Sequence, residues 1–162
     1  MIATVGFSLD DVLQLAEQME HNGARFYRIA ADATADPQRK HVLLGLSEME
    51  QFHEQSFAKA RSELTPTIEA DTDEVLADYV RAWVDGEVFD RKPEAAIELA
   101  ETGSLTEVIR KAIAMEKETI SFYAGVRDLM TDDAGRQMVN GIMREELTHV
   151  VALGKLLSRA AK

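Results

Sequence analysis

An internal duplication limits the fold of this chain more than any other feature of its sequence. A shift of 96 positions, from Glu20 to Glu116, superposes particular polar, aromatic and glycine residues, whereas a shared helical period would align only apolar ones. The matched pairs are Met19 with Met115, Glu20 with Glu116, Phe26 with Phe122, Tyr27 with Tyr123, Asp32 with Asp128, Asp36 with Asp132, Gly45 with Gly141, Glu50 with Glu146, and His53 with His149. The sequence therefore indicates two copies of one structural unit.

Each copy is predicted to be a hairpin of two helices. The first helix begins at Ser8, an N-cap candidate, and a second helix has Pro37 in its first turn. In the other copy, Ser104 and Glu107 form a capping box at the start of the third helix, and a fourth helix follows it. The resulting hairpins cover residues 8–64 and 104–160.

Residues 65–103 form a different kind of segment, which contains Pro66, Gly86 and a polar run at 69–73. Two short helices are expected in it, at about 73–84 and 93–103. Neighbouring helices of a bundle are usually joined by about 2–8 residues, so a connection of roughly 39 residues indicates a crossover along the bundle. We therefore predict an all-α four-helix bundle, a single domain over residues 1–162, made of hairpin, crossover and hairpin.

Both hairpins contain the same set of candidate metal ligands, one Glu on the first helix and a Glu-x-x-His on the second. The six residues are Glu20, Glu50, His53, Glu116, Glu146 and His149. The two glutamates of each hairpin are 30 positions apart and equally far from the turn, so at about 1.5 Å per residue they face each other. All four glutamates interrupt apolar stripes, which predicts that they are buried.

Burial of four carboxylates requires compensating charge. An unpaired buried carboxylate costs several kcal/mol, and four of them also repel one another. Two divalent cations balance the charge. Carboxylate and imidazole ligands suit iron or manganese, and zinc can also bind them. One Glu from each of two helices with Glu-x-x-His from the other two is the pattern of di-iron and di-manganese carboxylate bundles. We therefore predict two metal ions, with iron preferred and manganese or zinc as alternatives.

Other residues near these positions have weaker signals. Tyr27 and Tyr123, two turns from Glu20 and Glu116, are either core aromatics or hydrogen-bond partners of the ligand carboxylates. The acids that neighbour the ligands point elsewhere on their helices and are expected in solvent. These acids are Glu17, Glu118 and Glu145.

The overall composition excludes several classes of function. A net charge of −11 argues against binding of nucleic acid or of an anionic membrane surface. The chain has no cysteine, which excludes disulfides, thiolate metal sites and iron–sulfur centres within it. No apolar run approaches the ~18 residues of a membrane span, and the first residues lack a signal-peptide pattern, so a cytoplasmic protein without membrane or nucleic-acid partners is expected.

The two hairpins resemble the rubrerythrin-like branch of the ferritin-like superfamily. The motifs that match are Met19-Glu20-x5-Phe26-Tyr27 with Glu50-x-x-His53, and Met115-Glu116-x5-Phe122-Tyr123 with Glu146-x-x-His149. By resemblance, Glu50 and Glu146 bridge the two metals, Glu20 and Glu116 are terminal ligands, and each histidine binds one metal. Rubrerythrins proper have a further Glu three residues after the ligand of the third helix, where this chain has Thr119, which we predict to lie beside the ligands together with Tyr27 and Tyr123. They also have a cysteine-rich rubredoxin-like domain, so here an external electron donor is expected.

The sequence thus predicts a non-haem di-iron oxidoreductase that reacts with O₂ or H₂O₂, or oxidises Fe(II), and that forms a homodimer in which hairpins can be exchanged. Three alternatives remain open. The first is an iron-handling or storage protein, for which Fe(II) is cargo. The second is a bundle in which zinc or another redox-silent metal is structural. The third is oxygen insertion into an organic substrate.

Overall fold

The computed structural model describes residues 9–64, 74–85, 92–130 and 133–160, and these residues form six helices and no strand. The helices are α1 (Leu9–Ala33), α2 (Pro37–Ser62), α3 (Glu74–Asp85), α4 (Pro93–Thr102), α5 (Leu105–Leu129) and α6 (Asp133–Ala160). Four long helices and two short ones confirm the all-α prediction of two hairpins with helices in the crossover. The N-cap prediction at Ser8 lies outside the described residues, and the single domain over 1–162 stays a prediction.

The predicted helix starts at Pro37 and at Ser104 are confirmed, and Asp36 is an additional cap. Asp36 caps α2, because its side chain accepts hydrogen bonds from the backbone N–H groups of Gln38 and Arg39, and Pro37 occupies the first turn. At α5, Ser104 and Glu107 form both hydrogen bonds of the capping box. These caps satisfy backbone donors that the helices themselves leave unpaired.

The long helices pack in antiparallel pairs, and the short ones cover them. α1 lies along α2, and the Ser47 hydroxyl joins them by donating to the Ala24 carbonyl at 2.9 Å. α5 lies along α6 in the same way, while α4 packs on α1 and α3 packs on α5. The crossover therefore places one short helix against the first helix of each hairpin.

Docking of α3 on α5 depends on a glycine. A Cβ at Gly125 would overlap the ring and hydroxyl of Tyr79, so a larger residue would have to displace this side chain. The Tyr79 ring stacks on Phe122 at a centroid distance of 5.9 Å, and its hydroxyl donates to the Phe122 carbonyl at 3.1 Å. The edge of Trp83 meets the same Phe122 ring at 5.5 Å. A small residue on α5 thus fixes the position of α3.

The apolar core consists of two clusters, one on each side of a polar layer. One cluster includes Leu13, Phe57, Phe122 and Val139, and also Leu76 from α3. The other includes Phe26, Leu43, Ile109 and Leu153, and also Ala96 and Ala100 from α4. On each long helix the six candidate ligands lie between residues of the two clusters. The core therefore surrounds the polar layer with apolar side chains above and below.

None of the helices in the described ranges combines the length and hydropathy needed to cross a membrane.

Candidate metal centre

The six candidate ligands are all buried, as the apolar stripes predicted. Their exposed fractions are 3% for Glu20, 5% for Glu50, 5% for His53, 4% for Glu116, 1% for Glu146 and 9% for His149. They form two groups, each with two glutamates and one histidine whose ligand atoms lie within 4.8 Å of one another. Each hairpin supplies one complete group.

The geometry of the two groups is similar, as expected for a duplicated hairpin. In the first hairpin, His53 Nδ1 lies 3.7 Å from Glu20 Oε2. In the second, His149 Nδ1 lies 3.8 Å from Glu116 Oε2. His149 has an additional close contact, because Glu146 Oε2 lies 3.2 Å from its Nδ1. The two groups therefore have the same arrangement of ligands, but a carboxylate approaches the imidazole more closely in the second group than in the first.

Contacts between the groups make them one centre. The imidazoles of His53 and His149 stack with a centroid distance of 4.2 Å and an interplanar angle of 16°. Glu20 interacts electrostatically with Glu50 of its own hairpin and with Glu116 and Glu146 of the other. Four carboxylates and two imidazoles thus share a single layer of the core.

Several polar atoms in this layer lack a hydrogen-bond partner. Among the described residues, three ligand atoms are buried and neither accept nor donate a hydrogen bond. They are His53 Nδ1, Glu116 Oε1 and Glu146 Oε1. An unsatisfied buried polar atom costs about 1–3 kcal/mol, and more when it is charged. Such atoms fit metal ligation well, since a cation uses the lone pairs that the protein leaves unused. The residues present therefore fit a pair of divalent cations.

The electrostatics of the carboxylates show excess negative charge. Burial, a hydrogen bond to Glu50 and the charges of the surrounding carboxylates raise the pKa of Glu20 well above its ordinary value. Burial also raises the pKa of Glu116, to about 7, with Glu146 adding to the effect and His149 opposing it. Without cations, the layer therefore favours protonated carboxyl groups.

The two histidines are shifted in opposite directions. Burial and the positive charge of His149 lower the pKa of His53 to about 4. Burial also acts to lower the pKa of His149, but hydrogen bonds and charges from Glu116 and Glu146 outweigh it and raise the pKa to about 10. A protonated His149 is thus the cation that partly compensates the four acids in the metal-free protein.

Comparison with known proteins agrees with this geometry. The family model for rubrerythrin matches residues 11–157, which is most of the chain. The chain belongs to the rubrerythrin family. No curated protein sequence matches it significantly. A similar solved structure comes from Thermotoga maritima and is described as a ferritin-like diiron-carboxylate protein. It has a TM-score of 0.55 and 23% sequence identity, over 94% of this chain and 96% of that one, and it shows that the fold is ferritin-like.

The tyrosines of this rubrerythrin-family chain contact methionines across the hairpins. The Tyr27 hydroxyl donates to Met115 Sδ and the Tyr123 hydroxyl donates to Met19 Sδ, both at 3.7 Å. Burial and the charges of Glu20 and Glu146 raise the pKa of Tyr123 well above its usual range. A direct hydrogen bond from either tyrosine to a ligand stays a prediction. The role of the methionines was missed from the sequence, although their repetition beside the ligand glutamates was a signal.

The remaining candidates lie around the centre. Thr119 is buried, and its hydroxyl donates to the Met115 carbonyl of its own helix at 3.1 Å. Glu118 and Glu145 are exposed, as expected. Glu17 is half-buried instead, because its Oε1 lies 3.6 Å from the guanidinium of Arg61 between α1 and α2. These three acids are therefore absent from the two ligand groups.

Proposed function

We infer that this chain binds two iron ions with its six buried residues and acts as a non-haem di-iron oxidoreductase towards O₂ or H₂O₂. The observation that carries this proposal is a buried layer with two adjacent Glu/Glu/His groups, in which His53 Nδ1, Glu116 Oε1 and Glu146 Oε1 have no hydrogen-bond partner. Family membership supports it, since the rubrerythrin family model matches residues 11–157.

Each residue has a role in the proposal. Glu20 with His53, and Glu116 with His149, hold one metal each, in agreement with their paired distances of 3.7 and 3.8 Å. Glu50 and Glu146, from the second helices, would supply the remaining two carboxylates to the pair. Iron at this position supplies a redox couple and Lewis acidity.

The protein itself supplies protons and excludes water. Metal binding requires Glu116 and His149 to lose protons, because only the carboxylate and the neutral imidazole ligate. Tyr27 and Tyr123 are fully buried, and they lie in the two apolar clusters on opposite sides of the ligand layer. Such packing favours small substrates, namely O₂, H₂O₂ or Fe(II), over an organic molecule. Electrons come from an external donor in this proposal, since the chain has no cysteine with which to hold an iron–sulfur or rubredoxin-type centre.

The test is anaerobic loading with Fe(II), followed by metal counting and by exposure to O₂ and, separately, to H₂O₂. We expect two ions per chain and oxidation faster than that of free Fe(II), followed by absorbance. Glu146→Gln, with one ligand carboxylate removed, is expected to bind less metal and to react slowly. Glu145→Gln, on the exposed side of the same helix, is the matched control and is expected to behave as wild type.

The outcomes separate the alternatives. Oxidation no faster than free Fe(II), despite two bound ions, would overturn the oxidoreductase proposal and favour a structural metal. Uptake of many iron ions per chain would favour iron storage instead. Equal metal content in Glu146→Gln and wild type would contradict the assignment of the ligands.

A further inference from the structure

The two Glu-x-x-His motifs are equivalent by the shift of 96 positions, but the residue just before each histidine differs. Phe52 precedes His53, whereas Thr148 precedes His149. Both side chains are exposed, Phe52 to 67%. The Thr148 hydroxyl donates to the Glu145 carbonyl of its own helix at 2.6 Å, while Phe52 presents a ring. The two ligand groups therefore differ in the side chain that adjoins the imidazole.

The two imidazoles also differ in how carboxylates hold them. His149 Nδ1 lies 3.2 Å from Glu146 Oε2, within hydrogen-bond distance. His53 Nδ1 has no hydrogen-bond partner, and the distance to Glu20 Oε2 is longer, at 3.7 Å. Rotation of an imidazole about its Cβ–Cγ bond has broad energy wells, so a ring without a hydrogen bond turns more easily. In the metal-free protein, other contacts must therefore hold the His53 ring.

Two aromatic rings contact His53. The imidazole of His149 stacks on it, with a centroid distance of 4.2 Å and an interplanar angle of 16°. The Phe52 ring is nearly perpendicular to it, at 71°, with a centroid distance of 6.0 Å. Edge-to-face pairs of rings are favourable when their centroids are about 4.5–7 Å apart. A ring with one parallel and one near-perpendicular neighbour has little freedom to turn.

We propose that Phe52 is a positioning residue, which holds the His53 imidazole in its metal-binding orientation with Nδ1 towards Glu20. This inference rests on the ligands assigned in the proposed function, but it concerns the orientation of one ligand and not the reaction. Phe52 acts through His53 and does not contact the ion itself. A ligand that is already oriented loses less conformational freedom when the ion binds, so the ring contact strengthens binding of that ion.

The second hairpin does not need this device. The carboxylates of Glu146 and Glu116 lie 3.2 and 3.8 Å from His149 Nδ1, so they orient that ring without an aromatic neighbour from the preceding position. Thr148 is sufficient there. The two histidines are therefore oriented by different means, one by carboxylates and the other by a ring.

The test compares Phe52→Thr, which copies the second hairpin, with Phe52→Tyr, which keeps the ring. Because Phe52 is 67% exposed, both variants are expected to fold as wild type does, with the same circular dichroism. Cobalt(II) is titrated into the chelator-treated full chain and followed by visible absorbance, since it accepts carboxylate and imidazole ligands. We expect Phe52→Thr to bind one of two ions about fivefold more weakly, and Phe52→Tyr to bind both like wild type.

A second measurement reports the orientation of the ring in the metal-free protein. A nuclear Overhauser effect between the rings of His53 and His149 detects their stacking, and the chain has only four histidines to assign. This signal is expected to be strong in wild type and in Phe52→Tyr, and weak in Phe52→Thr. Thr148→Val changes the equivalent position of the second hairpin and is the matched control. It is expected to leave the stacking and the binding of both ions unchanged.

The outcomes separate this inference from the proposed function. A wild type that binds no metal would contradict the proposed function, and the stacking signal of the metal-free variants still decides the role of Phe52. Unchanged stacking in Phe52→Thr would overturn the assignment. Equal weakening of both ions in Phe52→Thr, or a loss in Phe52→Tyr as large as that in Phe52→Thr, would overturn it as well.

Discussion

Replacement of Glu116 by glutamine is expected to stabilise the metal-free protein and to weaken its response to metal. Glutamine has the same shape but does not ionise, so it avoids the cost of charging a buried carboxyl group among other acids. Glu116 has a pKa of about 7 in the folded protein, against an ordinary value of 4.5. His149 keeps a partner in the variant, because Glu146 Oε2 lies 3.2 Å from its Nδ1.

The sign and magnitude of this change in stability follow from the linkage between protonation and folding. A carboxyl group whose pKa is raised on folding contributes its full stability below pH 4.5, and this contribution is lost as the pH rises through 7. The difference between the two pKa values corresponds to about 3 kcal/mol above pH 7. The glutamine variant escapes this loss. Its stability relative to wild type should therefore rise by about 3 kcal/mol between pH 4.5 and pH 8, or by roughly 6–12 °C in Tm.

The assay is urea or thermal unfolding of chelator-treated protein across this pH range, with and without added metal. Wild type is expected to gain much more stability from metal than Glu116→Gln does, because glutamine is a neutral and weaker ligand. Glu118→Gln, on the exposed side of the same helix, should stay within about 0.5 kcal/mol of wild type. The stability difference between metal-free Glu116→Gln and wild type should be larger at pH 8 than at pH 4.5. An equal or smaller difference at pH 8 would refute this prediction. An unchanged response to metal would refute it as well.

Three further results are expected. Gly125→Ala should lower stability by about 1–3 kcal/mol in urea unfolding, because its methyl group displaces Tyr79 and α3, yet metal content should be unchanged. Tyr123→Phe should lose about 1 kcal/mol with the hydrogen bond to Met19, and a loss of metal as well would show that the hydroxyl also supports the ligands. Metal affinity, followed by titration calorimetry, should fall as the pH decreases from 8 to 6, because Glu116 takes up a proton in this range and the metal must also displace the proton that His149 already holds. A pH-independent affinity would contradict these pKa values.

Much of the centre was predictable because the signals are local and repeated. Glu20 and Glu50 interrupt apolar stripes at equal distances from one turn, so their helices alone determine that they face each other in the core. Pro37 and the capping box of Ser104 and Glu107 indicated helix starts for the same reason, since each signal involves groups within three residues of the start. The ferritin-like fold follows from these hairpins and a crossover too long for a simple turn.

Such local signals could not predict the contacts between distant segments of the chain. Tyr27 and Met115 are 88 residues apart, and Tyr79 reaches Phe122 from a helix of the crossover. Each partner lies at an ordinary apolar position of its own helix. The pairing depends on how the hairpins are placed against each other, which periodicity within one helix does not specify.

By itself, the sequence determined that two equivalent Glu/Glu/His sets are buried in a helical bundle, because burial follows from the period of each helix and equivalence follows from the duplication. Only the tertiary structure decided that His53 and His149 stack, and that their pKa values move apart to about 4 and about 10. The pKa of His149 rises because the carboxylates of Glu116 and Glu146 contact its ring, whereas burial and the charge of His149 lower the pKa of His53.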